Sequence, residues 1–116
     1  MAYRHPELFG NVLAESGAFW RGDEGANEPH EWLTQQMRNS PPLPIRYYMT
    51  VGTLETGLTP TDAGRGEPTF IDANRHFRDA LRARRYNLEY HETPGGHEPL
   101  HWRSELPYGL MFLTAP

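Results

Sequence analysis

Ile45-Arg46-Tyr47-Tyr48-Met49-Thr50-Val51 sets the fold. Ile45, Tyr47, Met49 and Val51 alternate with Arg46, Tyr48 and Thr50, and β-branched and aromatic residues dominate, so the run reads as a strand. A break follows at Gly52-Thr53-Leu54-Glu55-Thr56-Gly57, and glycines and prolines make Thr59 to Pro68 a loop. Thr69 to Arg85 then has helical spacing. Phe70, Ala73, Phe77, Ala80 and Leu81 form one stripe, Arg75, Arg78, Asp79, Arg82 and Arg85 face away, and Thr69 is placed to cap the first turn. Tyr86 to Glu92 reads as strand again, with Tyr86, Leu88 and Tyr90 on one side.

The same alternation extends outward. Upstream, Asn11 to Ser16 holds the apolar run Val12-Leu13-Ala14, a buried strand, and Arg21 to Pro29 is a polar loop. His30 to Asn39 is expected to be helical. Trp32, Leu33 and Met37 share a face, and Glu28 and Glu31 stand near the start, where the helix dipole favours negative charge. Tyr3-Arg4-His5 reads as a last helical turn stopped by Pro6, which implies further chain upstream. Downstream, Leu100 to Leu113 reads as helix with a break at Pro107. Strand and helix thus alternate three times, which predicts an α/β fold: about three parallel strands with helices packed on the sheet's faces.

Composition narrows the function classes. The 116 residues contain no cysteine, which excludes disulfides, thiolate metal sites and a cysteine nucleophile. With 11 basic and 15 acidic residues the net charge is −4, so no nucleic-acid footprint is expected. No apolar run approaches the ~18 residues of a membrane span, so no membrane partner is expected either. Met1 to Pro6 shows no apolar signal region. That leaves the compartment open, with the cytoplasm favoured.

In open parallel sheets, ligands gather at the carboxyl ends of the strands. Ser16-Gly17, Glu55 and His97 each follow a strand. An acid and a histidine on neighbouring strand ends suggest an imidazole held in one tautomer by a carboxylate, the back half of a serine-hydrolase triad. Asp62 and Asp72 are the other acids in reach, one in a loop and one in a helix. Ser16 has small residues, Ala14 and Ala18, at the flanking positions of a nucleophile elbow, and the order Ser16, Glu55, His97 fits. The elbow wants glycines at those positions and a helix directly afterwards, and Ala18 to Gly25 has no helical stripe. Ser16 therefore reads as a strand-end serine beside the site, with Trp20 as an aromatic just past it.

His97-Glu98-Pro99-Leu100-His101 formally matches the zinc-protease pattern. That pattern needs both histidines on one continuous helix, and Pro99 belongs in a first turn, which leaves His97 outside it. No metal and no cofactor are expected. His5, His30, His76 and His91 read as surface residues.

Four segments carry a family resemblance: Arg4-His5-Pro6-Glu7-Leu8-Phe9-Gly10, Val12-Leu13-Ala14-Glu15-Ser16-Gly17-Ala18-Phe19-Trp20, Val51-Gly52-Thr53-Leu54-Glu55, and Gly95-Gly96-His97-Glu98 with Trp102-Arg103. Together they resemble the C-terminal part of the esterase D and enterochelin-esterase-like esterases, which are α/β-hydrolases. The resemblance implies a partial α/β-hydrolase domain over 1–116, with His97 as the catalytic histidine and Glu55 as the acid. It also implies a substrate pocket bordered near Ser16 and Trp20, and a small-molecule ester, a siderophore ester among the options, as substrate. Members often have aspartate where this chain has Glu98.

The family's G-x-S-x-G elbow lies upstream of the segment resembling Met1 to Gly10, and no such motif is present here. The expectation is thus a fragment of a serine carboxylic-ester hydrolase that carries base and acid without the serine and is inactive alone. The alternatives are a non-catalytic α/β interaction module and, behind it, a zinc hydrolase. An open sheet edge would favour self-association.

Overall fold

The computed structural model describes residues 1–22, 30–57 and 68–116. Glu28 and Asp62 lie outside the described residues. The elements run β1 (Asn11–Glu15), α1 (Trp32–Asn39), β2 (Arg46–Gly52), α2 (Phe70–Ala83), β3 (Asn87–Thr93) and α3 (Pro99–Thr114). The strands form one parallel sheet in the order β1-β2-β3, with Val12 opposite Tyr47 and Tyr47 opposite Leu88. Each crossover passes through a helix, as parallel pairing requires.

β2 alternates in sequence yet is buried almost throughout, from Tyr47 to Gly52. The cause is its central position under helices on both faces. Tyr47 and Met49 join Met37, Ile45, Phe77, Ala80 and Leu81 in the core beneath α1 and α2. Tyr48 points the other way, toward α3, where Gly109 permits the contact. A β-carbon on Gly109 would press into Leu13 and within 2.8 Å of the Tyr48 ring. Parallel sheets are ordinarily covered in this way on both faces.

Thr69 caps α2 as its sequence predicts. Its hydroxyl oxygen accepts the Asp72 amide at 3.2 Å. Past the end of α2, Arg85 takes a left-handed φ of 58°, and the Tyr86 amide closes on the Leu81 carbonyl. Arg46, at the amino end of β2, donates to the Ala115 carbonyl at 2.8 Å and to the Phe112 carbonyl at 3.2 Å, neutralising the carbonyl end of α3.

One expectation needs correction. α3 does not break at Pro107 but runs continuously through it. Pro107 and Arg103, whose carbonyl the ring displaces, are both exposed, so water can satisfy what the helix loses. Residues 1–10 form two successive turns, with the Met1 carbonyl accepting from the Arg4 and His5 amides and the His5 carbonyl accepting from the Leu8 and Phe9 amides. Among the described residues, no helix is long and apolar enough to cross a membrane.

Candidate active site

β2 and β3 continue to interact beyond their ends. The Thr53 amide donates to the Thr93 carbonyl at 2.9 Å and the Leu54 amide to the Gly95 carbonyl at 3.0 Å. This approach requires Gly52, because a β-carbon there would overlap the Gly95 carbonyl. The two loops thereby travel together over the rim of the sheet, and each delivers one functional group.

The first group is Glu55. Its carbonyl accepts the Ile71 amide at 3.1 Å, which fixes the loop to the first turn of α2. Its side chain turns inward and is 1% exposed. A buried carboxylate needs donors. Oε2 takes the Gly52 amide at 2.7 Å and the Ser16 hydroxyl at 2.6 Å. Oε1 meets Nδ1 of His97 at 2.6 Å.

The second group is His97, whose side chain is 53% exposed. With Nδ1 on the carboxylate, the neutral ring carries its proton there and leaves Nε2 as the basic nitrogen. Two aromatic rings flank the imidazole. Phe70 from the first turn of α2 stands at 5.2 Å, and Trp102 from the first turn of α3 stands edge-on at 4.9 Å. An imidazole fixed on one nitrogen by a carboxylate can take a proton on the other and pass it on.

Ser16 directly follows β1 with φ 51°, a left-handed conformation uncommon for any residue with a β-carbon. It is buried, and its hydroxyl accepts from Nε1 of Trp102 at 3.0 Å while donating to Glu55. Its proton is therefore committed to the acid. Trp20 is also buried and packs edge-on against Phe70 at 5.9 Å, one ring removed from His97. The aromatic residues in contact with the imidazole are Phe70 and Trp102. Phe70 belongs to the stripe predicted for α2, and only the meeting of two helix N-termini at the rim reveals that it and Trp102 contact the imidazole.

The two histidines of the H-E-x-x-H stretch have separate partners. His97 precedes α3, whereas His101 is buried within it, hydrogen-bonded through Nε2 to the Thr93 hydroxyl and at 3.2 Å through Nδ1 to the Gly96 carbonyl. Among the described residues, no group of three or more acids or histidines is arranged to hold a metal ion. His76 and His91 pair with Glu31 and Glu89, each at 2.8 Å. Asp72 belongs to the capping turn of α2.

Behind the rim, Arg75 on α2 forks onto Glu92 of β3, with Nε to Oε1 at 2.7 Å and Nη2 to Oε2 at 2.9 Å. The guanidinium holds the Glu92 carboxyl down at about 2. This clamp ties α2, and Phe70 with it, to the strand that leads to His97. A cavity of about 620 Å³ lies elsewhere, between the opening turns and β1, among Tyr3, Phe9, Val12, Phe19 and Trp32. It includes none of the residues that meet at the rim.

The family model described as "Putative esterase" matches residues 1–113. The iron(III) enterobactin esterase of Escherichia coli O6:H1 is 28% identical over 111 residues, covering 96% of this chain and 25% of the relative. That of Dickeya dadantii is 27% identical, covering 93% and 24%. The enterobactin esterase of Shigella flexneri, solved in the presence of 2,3-dihydroxy-N-benzoyl-glycine, superposes with a TM-score of 0.72 at 25% identity over 97% of this chain and 27% of its own. The same enzyme with 2,3-dihydroxy-N-benzoyl-serine gives 0.70. The chain spans about a quarter of the length of the relatives it matches.

Proposed function

This chain belongs to that esterase family, and we propose that it supplies the histidine and the acid of a serine carboxylic-ester hydrolase, His97 and Glu55, to a nucleophile outside residues 1–116. The observation that carries this reading is the 2.6 Å contact between Glu55 Oε1 and His97 Nδ1. A serine hydroxyl brought to Nε2 attacks the ester carbonyl as its proton passes to His97. His97 then returns the proton to the departing alcohol, and water repeats the cycle on the acyl-enzyme. Glu55 holds the ring in the Nδ1–H tautomer and stabilises the imidazolium that forms.

Ser16 is not that serine, because its proton goes to the acid and not to His97. Residues 1–116 are on this view the C-terminal part of an α/β-hydrolase domain. Within the described residues β1 pairs only with β2, so its other edge is where the part carrying the serine docks. Without that part, the same edge favours self-association. The relatives' names point to an ester of the iron(III) enterobactin class as substrate.

The test is hydrolysis of p-nitrophenyl esters, with and without a serine-directed phosphonate. We expect no inhibitor-sensitive turnover from the chain alone. Expression together with the coding region preceding Met1 should restore turnover, and His97→Ala should then abolish it. Turnover by residues 1–116 that is lost in Ser16→Ala overturns the assignment.

A further inference from the structure

We propose that Ser16 and Trp102 are positioning residues that act on the imidazole through Glu55, an inference resting on the assignment of His97 and Glu55 as base and acid. The contacts close into a ring. Trp102 Nε1–H donates to Ser16 Oγ at 3.0 Å, Ser16 donates to Glu55 Oε2 at 2.6 Å, and Glu55 Oε1 binds His97 Nδ1 at 2.6 Å. Trp102 then meets His97 edge-on at 4.9 Å, with the planes at 89°. One indole thus touches both ends of the relay. Its N–H orients the serine that orients the acid, and its ring, perpendicular to the imidazole, limits rotation of that ring.

Two features separate this from ordinary burial of a serine. At φ 51° glycine would be the less strained residue, yet a serine stands there. Its only hydroxyl proton goes to the carboxylate oxygen that His97 does not use. Without that bond, Oε2 keeps the Gly52 amide alone, and the carboxylate gains freedom to rotate away from Nδ1. Because Trp102 lies in the first turn of α3, a shift of that helix is transmitted to the acid as well as to the ring.

The test uses the whole chain and reads His97 by ¹H–¹⁵N NMR, as the neutral-ring tautomer and the solvent exchange rate of the Nδ1 proton. Ser16→Gly removes the hydroxyl at a backbone conformation that glycine prefers, so a thermal melt separates stability from positioning. Trp102→Phe keeps a ring beside His97 and removes the N–H. We expect Ser16→Gly to melt close to the wild type while Nδ1 exchange rises about tenfold and the Nε2–H tautomer gains population, with about a threefold rise in Trp102→Phe. Exchange within twofold of the wild type in both variants overturns the proposal, provided Glu55→Gln abolishes the Nδ1–H signal. If Glu55→Gln also leaves the signal intact, the assignment of acid and base fails first and this proposal with it.

Discussion

The loop after β2 and the loop after β3 meet at one hydrogen bond, yet they are held in opposite ways. Glu55 is 1% exposed and receives the Gly52 amide, the Ser16 hydroxyl and His97. His97 is 53% exposed and is held by the acid and two flanking rings. The acid is thus built into the fold, whereas the imidazole is fitted to the acid. The difference suits the roles proposed for them. An orienting carboxylate works best when it cannot move, and a base must keep one nitrogen open to an incoming proton.

The largest effect should come from removing the charge while keeping the shape. In the ester-hydrolysing form, Glu55→Gln should lower kcat about 10³-fold or more with KM little changed, because the amide offers a donor where Nδ1–H needs an acceptor. Steady-state kinetics on a p-nitrophenyl ester measures this. A loss below tenfold would mean that the imidazole does not depend on the acid.

Next comes the joint between the two loops. Gly52→Ala places a methyl against the Gly95 carbonyl. It should cost about 1–3 kcal/mol in urea unfolding. It should also weaken the His97 Nδ1–H signal, because the loops move apart. A variant destabilised with that signal unchanged would show that the joint supports the sheet and not the site.

The smallest effect tests the clamp behind the rim. Arg75 holds Glu92 down at about 2, against an ordinary 4.5. A carboxyl depressed in the folded state contributes its stability fully above the unfolded value and loses it as pH falls toward 2. Both partners are partly exposed, with Arg75 at 42%, so the contribution is about 1 kcal/mol or less. Arg75→Ala should therefore lower stability at neutral pH by about 1 kcal/mol or less and flatten the acid limb of a stability–pH curve between roughly pH 4.5 and 2, so that variant and wild type converge near pH 2.

Much of this arrangement is legible in the residues, and part of it is not. The strands and α2 follow from local pattern: alternation in Ile45–Val51, a helical stripe from Phe70 to Leu81 and a capping threonine at Thr69. The meeting of Glu55 and His97 follows from topology, because both stand after strands of one parallel sheet and such strands share a rim. The inward turn of Ser16 was not legible, since the sign of a single φ leaves no mark on composition or spacing. The contacts of Phe70 and Trp102 with His97 were not legible for a related reason. Phe70 lies on the stripe expected of α2, but the first turns of α2 and α3 meet over the rim, which no local spacing shows. Pro107 misled in the other direction. A proline interrupts a buried helix, but here it stands on the watered side of α3.

The most direct test of the acid–base pair is the ¹H–¹⁵N spectrum of His97 in the wild type and in Glu55→Gln. The account predicts a neutral ring carrying its proton on Nδ1, with a strongly downfield, slowly exchanging Nδ1–H that disappears when Glu55 becomes glutamine. A ring found mainly as the Nε2–H tautomer, or a spectrum indifferent to the substitution, would contradict it.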